Sequence, residues 1–239
     1  MLYADVNGLH LYYEDHGEGR PLVLLHGGLM TIDLNFGVAL PPLADHHRVI
    51  AVELQGHGRT ADIDRPPTFS AFAADVVALL NHLHIEQADV VGFSVGGLTG
   101  YELVISYPAR VRRAVIASAD HHNHRAGEAD PARLPTAEDF QAMRDAYAAT
   151  APDPGAFDTV AERTSGLVQS FTGWSDEQLR GVRLPVMILI GDRDFIEVEN
   201  AAESRRLLPH GQLAVLPDTT HMDLTRSRLF APVINTFLA

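Results

Sequence analysis

The chain has 239 residues, 46% of them hydrophobic and 21% charged, a balance that suits one globular domain with a sizeable core and argues against disorder. Eighteen lysines and arginines stand against 31 aspartates and glutamates, a formal net charge of −13. That acidity disfavours DNA, RNA and anionic membranes as partners and leaves a small-molecule substrate open. Cysteine is absent, which excludes disulfides, thiol nucleophiles and cysteine metal sites.

Met1 to Gly8 shows neither a basic leader nor a signal-like apolar core, and the longest apolar runs are of strand size. A cytoplasmic protein without a membrane span is expected, either monomer or homodimer. In chain order, Leu2 to Val6 and Leu9 to Tyr13 flank Asn7-Gly8, a strong hairpin signal because both turn residues tolerate positive φ. Short apolar runs follow at Pro21 to His26, Arg48 to Leu54, Asp89 to Phe93, Val111 to Ala117, Val186 to Ile190 and Leu213 to Leu216. Such runs read as strands of a parallel sheet covered on both faces.

Helical stretches alternate with them. Phe69 to Leu83 places Phe72, Val76, Leu79, Leu80 and Leu83 on one stripe, with Ser70 as its expected N-cap. Leu98 to Tyr107 is stopped by Pro108, and Arg226 to Leu238 gathers Leu229, Val233, Ile234 and Phe237. The pattern predicts an α/β fold with a mostly parallel central sheet, helices on both faces and antiparallel strands at one edge. Between Ala119 and Val182 the rhythm breaks, with helical pieces around Phe140 to Ala149 and Phe157 to Phe171. So long an insertion between two core strands reads as a small helical cap, residues 120–181, on a core of residues 1–119 and 182–239.

The chemistry centres on Gly92-Phe93-Ser94-Val95-Gly96, followed by Gly97, between a strand and a helix. Small residues two positions either side of the serine permit a sharp turn that lifts its hydroxyl above the sheet. Such a serine needs a base, and the usual base is a histidine held by a carboxylate. His221 follows the last strand in Pro217-Asp218-Thr219-Thr220-His221. Asp192 and Asp194 follow the strand ending at Ile190, and all these loops open on one carboxyl edge of the sheet. Asp120, just beyond the strand ending at Ala117, is a competing acid. His26-Gly27-Gly28-Leu29 and the amide of Val95 are candidate donors to an oxyanion.

With these motifs in place, the chain resembles the α/β-hydrolase superfamily, in particular serine-esterase-like members with a small cap. Gly56-His57-Gly58-Arg59 adds to the likeness, which spans nearly all of the chain outside the cap. The resemblance implies a Ser94, His221 and Asp194 triad, selecting Asp194 over Asp192, and an oxyanion hole from the amides of Gly28 and Val95, with Leu29 as the alternative to Gly28. It implies no cofactor and no metal, and hydrolysis of a small or medium carboxylic ester through an acyl-enzyme. The alternatives are a cofactor-free perhydrolase or haloperoxidase-like activity, carbon–carbon bond hydrolysis of a β-diketone or dienoate, and a non-catalytic ligand-binding role. Serine at 94 argues against the relatives with carboxylate nucleophiles.

The remaining histidines are expected to be structural or solvated. His26 and His57 shape loops. His121, His122 and His124 crowd the start of the cap, but adjacent residues rarely point at one ion, so a solvated or pocket-rim role is expected. Gly92 to Gly97 completes neither a Walker nor a dinucleotide-binding pattern. The cap residues Phe140, Met143, Tyr147, Phe157, Leu167, Phe171 and Trp174 either line a pocket or form the cap's own core.

Overall fold

A computed structural model describes residues 1–122 and 130–239. The eight strands are β1 (Leu2–Val6), β2 (Leu9–His16), β3 (Pro21–Leu25), β4 (Arg48–Val52), β5 (Ala88–Phe93), β6 (Val111–Ala117), β7 (Val186–Gly191) and β8 (Gly211–Leu216). They form a single sheet in the order β1-β2-β4-β3-β5-β6-β7-β8. β1 and β2 pair antiparallel, as do β2 and β4, and every later pairing is parallel. The edge hairpin turns at Asn7 and Gly8, whose φ values of 49° and 83° are those the Asn-Gly pair tolerates.

The helices are α1 (Ile32–Phe36), α2 (Leu40–Ala44), α3 (Phe69–His82), α4 (Val95–Ser106), α5 (Ala137–Thr150), α6 (Phe157–Ser170), α7 (Asp176–Gly181), α8 (Val198–Leu207) and α9 (Phe230–Leu238). Because side chains alternate along a strand, β3 sends Val23 and Leu25 to one face and Leu22 and Leu24 to the other. The first face packs against Phe72, Leu79, Tyr101 and Ala201 of α3, α4 and α8. The second packs against Phe36, Leu43, Phe230 and Ile234 of α1, α2 and α9. Every residue of β5 and β7 is buried, as a strand sandwiched between two helical layers requires. Each Leu, Val or Ile so buried contributes roughly 1.5–3 kcal/mol of transfer free energy.

Several local details differ from the sequence-based expectations. Thr68, not Ser70, caps α3: its backbone is extended and its hydroxyl accepts from the Ala71 amide at 3.0 Å, while Ser70 donates to Glu102. The helix expected from Leu98 begins at Val95, directly after the serine turn. The last helix starts at Phe230 rather than Arg226, preceded by a 3₁₀ turn at Leu224–Arg226.

Helices α5 to α7 form an inserted helical region between β6 and β7. Thr136 and Asp139 make a capping box at the start of α5, and Ser175 with Gln178 makes another at α7. Arg163 of α6 ties the insertion to the core by bonding the Asp62 carboxylate and the carbonyls of Ile63 and Arg65. The inserted aromatic residues have split roles. Tyr147 and Phe157 pack edge to face, while Trp174 and Phe171 pack onto Phe69 and Tyr101 of the core helices. Phe140 is exposed.

Candidate active site

β5 ends at Phe93 and α4 begins at Val95, leaving Ser94 alone to make the turn at φ 53° and ψ −115°. That conformation costs a non-glycine residue about 1–3 kcal/mol, so the surroundings must hold it. The Ser94 amide donates to the Ala117 carbonyl at 2.9 Å. A Cβ on Gly92 would collide with the Gly96 carbonyl, and one on Gly96 with the carbonyls of Leu25 and His26. Only glycine at 96 lets α4 start this close to the end of β3.

The loops after β7 and β8 are laced together. Asp192 N donates to the Leu216 carbonyl at 3.0 Å, Arg193 N to the Thr219 carbonyl at 3.1 Å, and Thr219 N to the Asp192 carboxylate at 3.0 Å. This lacing engages Asp192 as an exposed turn residue, and the backbone amides of Thr219 and Asp218 hold its carboxyl below the usual range. Asp194, two residues on, turns inward and is buried.

His221 lies across Asp194, with Nδ1 3.0 Å from Oδ1 and 3.2 Å from Oδ2. A carboxylate only accepts, so Nδ1 carries the proton and Nε2 presents its lone pair. Nε2 sits 3.2 Å from Ser94 Oγ, placing the serine hydroxyl to donate to it. The imidazole is flanked by Phe93, with ring centroids 4.9 Å apart, and Phe195, at 4.2 Å. Asp194 has two further donors, Ser118 Oγ at 2.5 Å and the Ile196 amide at 3.0 Å. Burial works to raise its pKa. Electrostatic attraction to the His221 imidazole, the hydrogen bonds from His221 and Ser118, and the Ile196 amide outweigh burial and hold the carboxyl below the usual range. An ionised Asp194 is thus kept beside the imidazole.

The loop after β3 supplies the neighbouring backbone. His26 Nε2 accepts from the Leu54 amide at 3.0 Å, which puts its proton on Nδ1, donated to the Gly27 carbonyl at 2.7 Å. Gly27 N donates to Asn35 Oδ1 at 2.7 Å, and Asn35 Nδ2 reaches Thr225 Oγ1 at 3.0 Å. Both polar groups of Gly27 are therefore occupied, and the loop is pinned to the segment following His221. Gly28 comes next and packs beside the serine turn: a Cβ there would lie 3.1 Å from Val95 Cγ2. Val95 is the first residue of α4, where an amide has no intrahelical acceptor.

The remaining titratable residues are engaged elsewhere. Asp120 faces His121 and the His122 amide, while the Nδ1 side of His221 is taken by Asp194. His57 is buried, with Nδ1 bonded to the Gln55 carbonyl at 2.9 Å and its ring 5.0 Å from that of His26. His121, His122 and Asp176 bring one potential metal-ligand atom each within 4.8 Å of one another. That spread is wider than a tetrahedral zinc site's ligand separation of about 3.4 Å. His121 Nδ1 bonds Ser204 at 2.7 Å and Asp176 bonds Arg180 at 2.8 Å, while the buried Nε2 of His121 has no hydrogen-bond partner among the described residues. His124 lies outside the described residues.

Sequence reasoning missed Ser118, Phe195 and the Ile196 amide. Ser118 directly follows the strand ending at Ala117, so its place at the carboxyl edge is a usable signal. Phe195 adjoins Asp194 and carries none.

Residues 20–170 match the family model described as alpha/beta hydrolase fold, and the chain belongs to that family. It is 28% identical to a non-heme haloperoxidase of Rhodococcus erythropolis over 249 residues, covering 90% of each chain. It is 26% identical to a 2-hydroxy-6-oxo-2,4-heptadienoate hydrolase of Pseudomonas putida, covering 97% of this chain and 94% of that one. Among solved structures, a serine hydrolase involved in carbazole degradation superposes with a TM-score of 0.82 at 22% identity, over 99% of this chain and 97% of the other. The chain is an α/β-hydrolase-fold enzyme. Among the described residues no helix is long and apolar enough to cross a membrane.

Proposed function

We propose that this enzyme hydrolyses a carbon–carbon bond next to a carbonyl in a small oxygenated substrate of the dienoate or β-diketone class, with Ser94 as nucleophile, His221 as base and Asp194 as the acid that orients it. The single observation that carries the chemistry is the hydrogen-bonded line from Asp194 through His221 to Ser94 Oγ. Ser94 Oγ attacks the carbonyl carbon as its proton passes to His221 Nε2. The oxyanion is held by the amides of Val95 and of Gly28 in the loop facing it. Collapse breaks the bond to the neighbouring carbon, which leaves as an enolate, directly from a β-diketone and from a dienoate once its dienol has tautomerised to the keto form, and takes the proton from His221. Water activated by His221 then releases the acid and regenerates Ser94. The core of residues 1–119 and 182–239 carries this machinery, and helices α5 to α7 of the 120–181 insertion cover it.

The choice of carbon–carbon cleavage over a plain ester is supported by full-length similarity to the heptadienoate hydrolase and by partial similarity to a 2-hydroxymuconate semialdehyde hydrolase. Ester hydrolysis uses the same acyl chemistry and is expected as a side reaction. A second reading, peroxide-dependent halogenation through a peracid, is favoured by the Rhodococcus haloperoxidase and by a non-heme chloroperoxidase of Streptomyces lividans. Parallel assays of a dienoate, a β-diketone, aryl esters and halogenation with peroxide and acetate decide between them. Higher kcat/KM for the dienoate or diketone than for every ester supports the proposal. Halogenation outpacing all hydrolysis replaces it.

A further inference from the structure

Thr164 of α6 lies where the cap meets the loop after β3 and the serine turn. A Cβ built on Gly28 would lie 3.0 Å from Thr164 Cγ2 and 3.1 Å from Val95 Cγ2, so Thr164 touches the loop and the serine turn where the oxyanion donors are proposed. The preceding residue, Arg163, is anchored to Asp62 and to the Ile63 and Arg65 carbonyls. Asp62 is in turn bonded to Gln55 at 2.8 Å, and Arg65 to Asp75 at 2.7 Å. The register of α6 is thereby set one residue before Thr164.

The hydroxyl of Thr164 is unlike those of comparable residues. A threonine inside a helix ordinarily commits its hydroxyl to the carbonyl four residues back. Thr99 does so to Val95 at 2.9 Å, Thr150 to Ala146 at 2.8 Å and Thr236 to Pro232 at 2.8 Å. Thr164 also lies beyond the first turn of its helix, yet it forms no such bond among the described residues. Thr164 is half-buried, its methyl lies against Gly28 beside the serine turn, and its hydroxyl makes no hydrogen bond to the protein among the described residues.

We infer that Thr164 is a specificity-determining residue whose hydroxyl donates to an oxygen carried on the acyl side of the substrate, a few atoms from the carbonyl that Ser94 attacks. This rests on the proposed reading of the site and adds that its substrate is oxygenated on that side. A pocket built to bond a substrate oxygen discriminates against the analogue with a methylene in its place, because the hydroxyl is then left unpaired on desolvation.

The test uses the full chain and two near-isosteric esters, 4-nitrophenyl methoxyacetate and 4-nitrophenyl butanoate, which differ by an ether oxygen in place of one CH₂. The ratio of their kcat/KM values is compared among wild type, Thr164→Val and Thr164→Ser, so that intrinsic ester reactivity cancels. Valine keeps the methyl that packs on Gly28 and removes the hydroxyl; serine keeps the hydroxyl. The expected result is a preference for the methoxy ester that falls about 5–10-fold in Thr164→Val and survives in Thr164→Ser. An unchanged ratio in Thr164→Val, or an equal loss in Thr164→Ser, overturns the inference. Ser165→Ala, at the exposed neighbouring position, leaves the ratio unchanged and serves as control. Failure to cleave dienoates or diketones refutes the carbon–carbon reading, and the ester ratio still tests Thr164 independently.

Discussion

Replacing Asp194 by asparagine removes one charge and little else. The Ile196 amide can only donate, so the new side chain must keep its oxygen at the Oδ1 position, 3.0 Å from that amide. The NH₂ then occupies the Oδ2 position, where it faces Ser118 Oγ at 2.5 Å and His221 Nδ1 at 3.2 Å. Ser118 can rotate its hydroxyl to accept, so the fold tolerates the change. His221 is served less well: the oxygen kept at the Oδ1 position, 3.0 Å from Nδ1, still accepts, but the NH₂ at the Oδ2 position, 3.2 Å away, favours the competing tautomer with its proton on Nε2, which cannot take up the Ser94 proton. The imidazolium formed during attack also loses its counter-charge. A wrong-tautomer triad in serine proteases loses about 10⁴ in kcat, and a loss of about 10³–10⁴ is expected here, roughly 4–5.5 kcal/mol of barrier. The assay is steady-state turnover of an aryl ester, with thermal unfolding measured alongside. Asp192→Asn, at an exposed turn, and Asp120→Asn, directed at His121, are expected to cost less than about threefold each. The reasoning is refuted if Asp120→Asn is as damaging as Asp194→Asn, or if Asp194→Asn keeps wild-type turnover.

Three further outcomes follow from the same contacts. Gly28→Ala places a methyl 3.0 Å from Thr164 Cγ2 and 3.1 Å from Val95 Cγ2, so kcat/KM is expected to fall about 10–100-fold with the circular dichroism spectrum unchanged, and undiminished activity would contradict the placement of this loop. Burial, with the adjacent His57 ring, pushes the His26 pKa from 6.5 down to about 3 against the opposing Gly27 hydrogen bond. The unfolded chain therefore binds a proton at pH values where the folded chain does not. Stability from a neutral His26 is complete above pH 6.5 and lost as the pH falls toward 3, at about 1.4 kcal/mol per pH unit. The fall in urea-measured stability from pH 7 to pH 5 should be about 2 kcal/mol smaller in a folded His26→Asn variant than in the wild type, and an equal fall would refute this. Arg163→Ala is expected to raise KM several-fold and lower the melting temperature, and an unchanged KM would show that its bonds to Asp62 and the Ile63 and Arg65 carbonyls do not position α6.

Much of this architecture is legible along the chain because its signals are local. The Asn7-Gly8 turn, the doubly buried strands and the glycines around Ser94 each depend on a few neighbouring residues. Ser94 and His221 are readable for that reason, since each follows a strand at the carboxyl edge. Asp192 and Asp194 share one loop, and what separates them is the lacing to Thr219, which joins segments distant in sequence. Ser70 and Thr68 both offer a hydroxyl near the start of α3; the extended backbone at Thr68 decides between them. α1 and α2 span five residues each, too few to show a helical period. Thr164 is an ordinary residue within its own helix and acquires meaning only where the cap meets Gly28. Trp174 looks available for a pocket in the sequence, but a surface of aromatic residues on α3 and α4 claims it.

The central claim is that Ser94 Oγ forms the covalent intermediate. Incubation with a fluorophosphonate, followed by intact-mass measurement and peptide mapping, tests it directly. One adduct per chain is expected, on the peptide containing Ser94, formed in step with loss of turnover and absent from folded Ser94→Ala, whose turnover is expected to be nearly abolished. An adduct on any other residue, or a folded Ser94→Ala protein that turns over at the wild-type rate, would contradict the account.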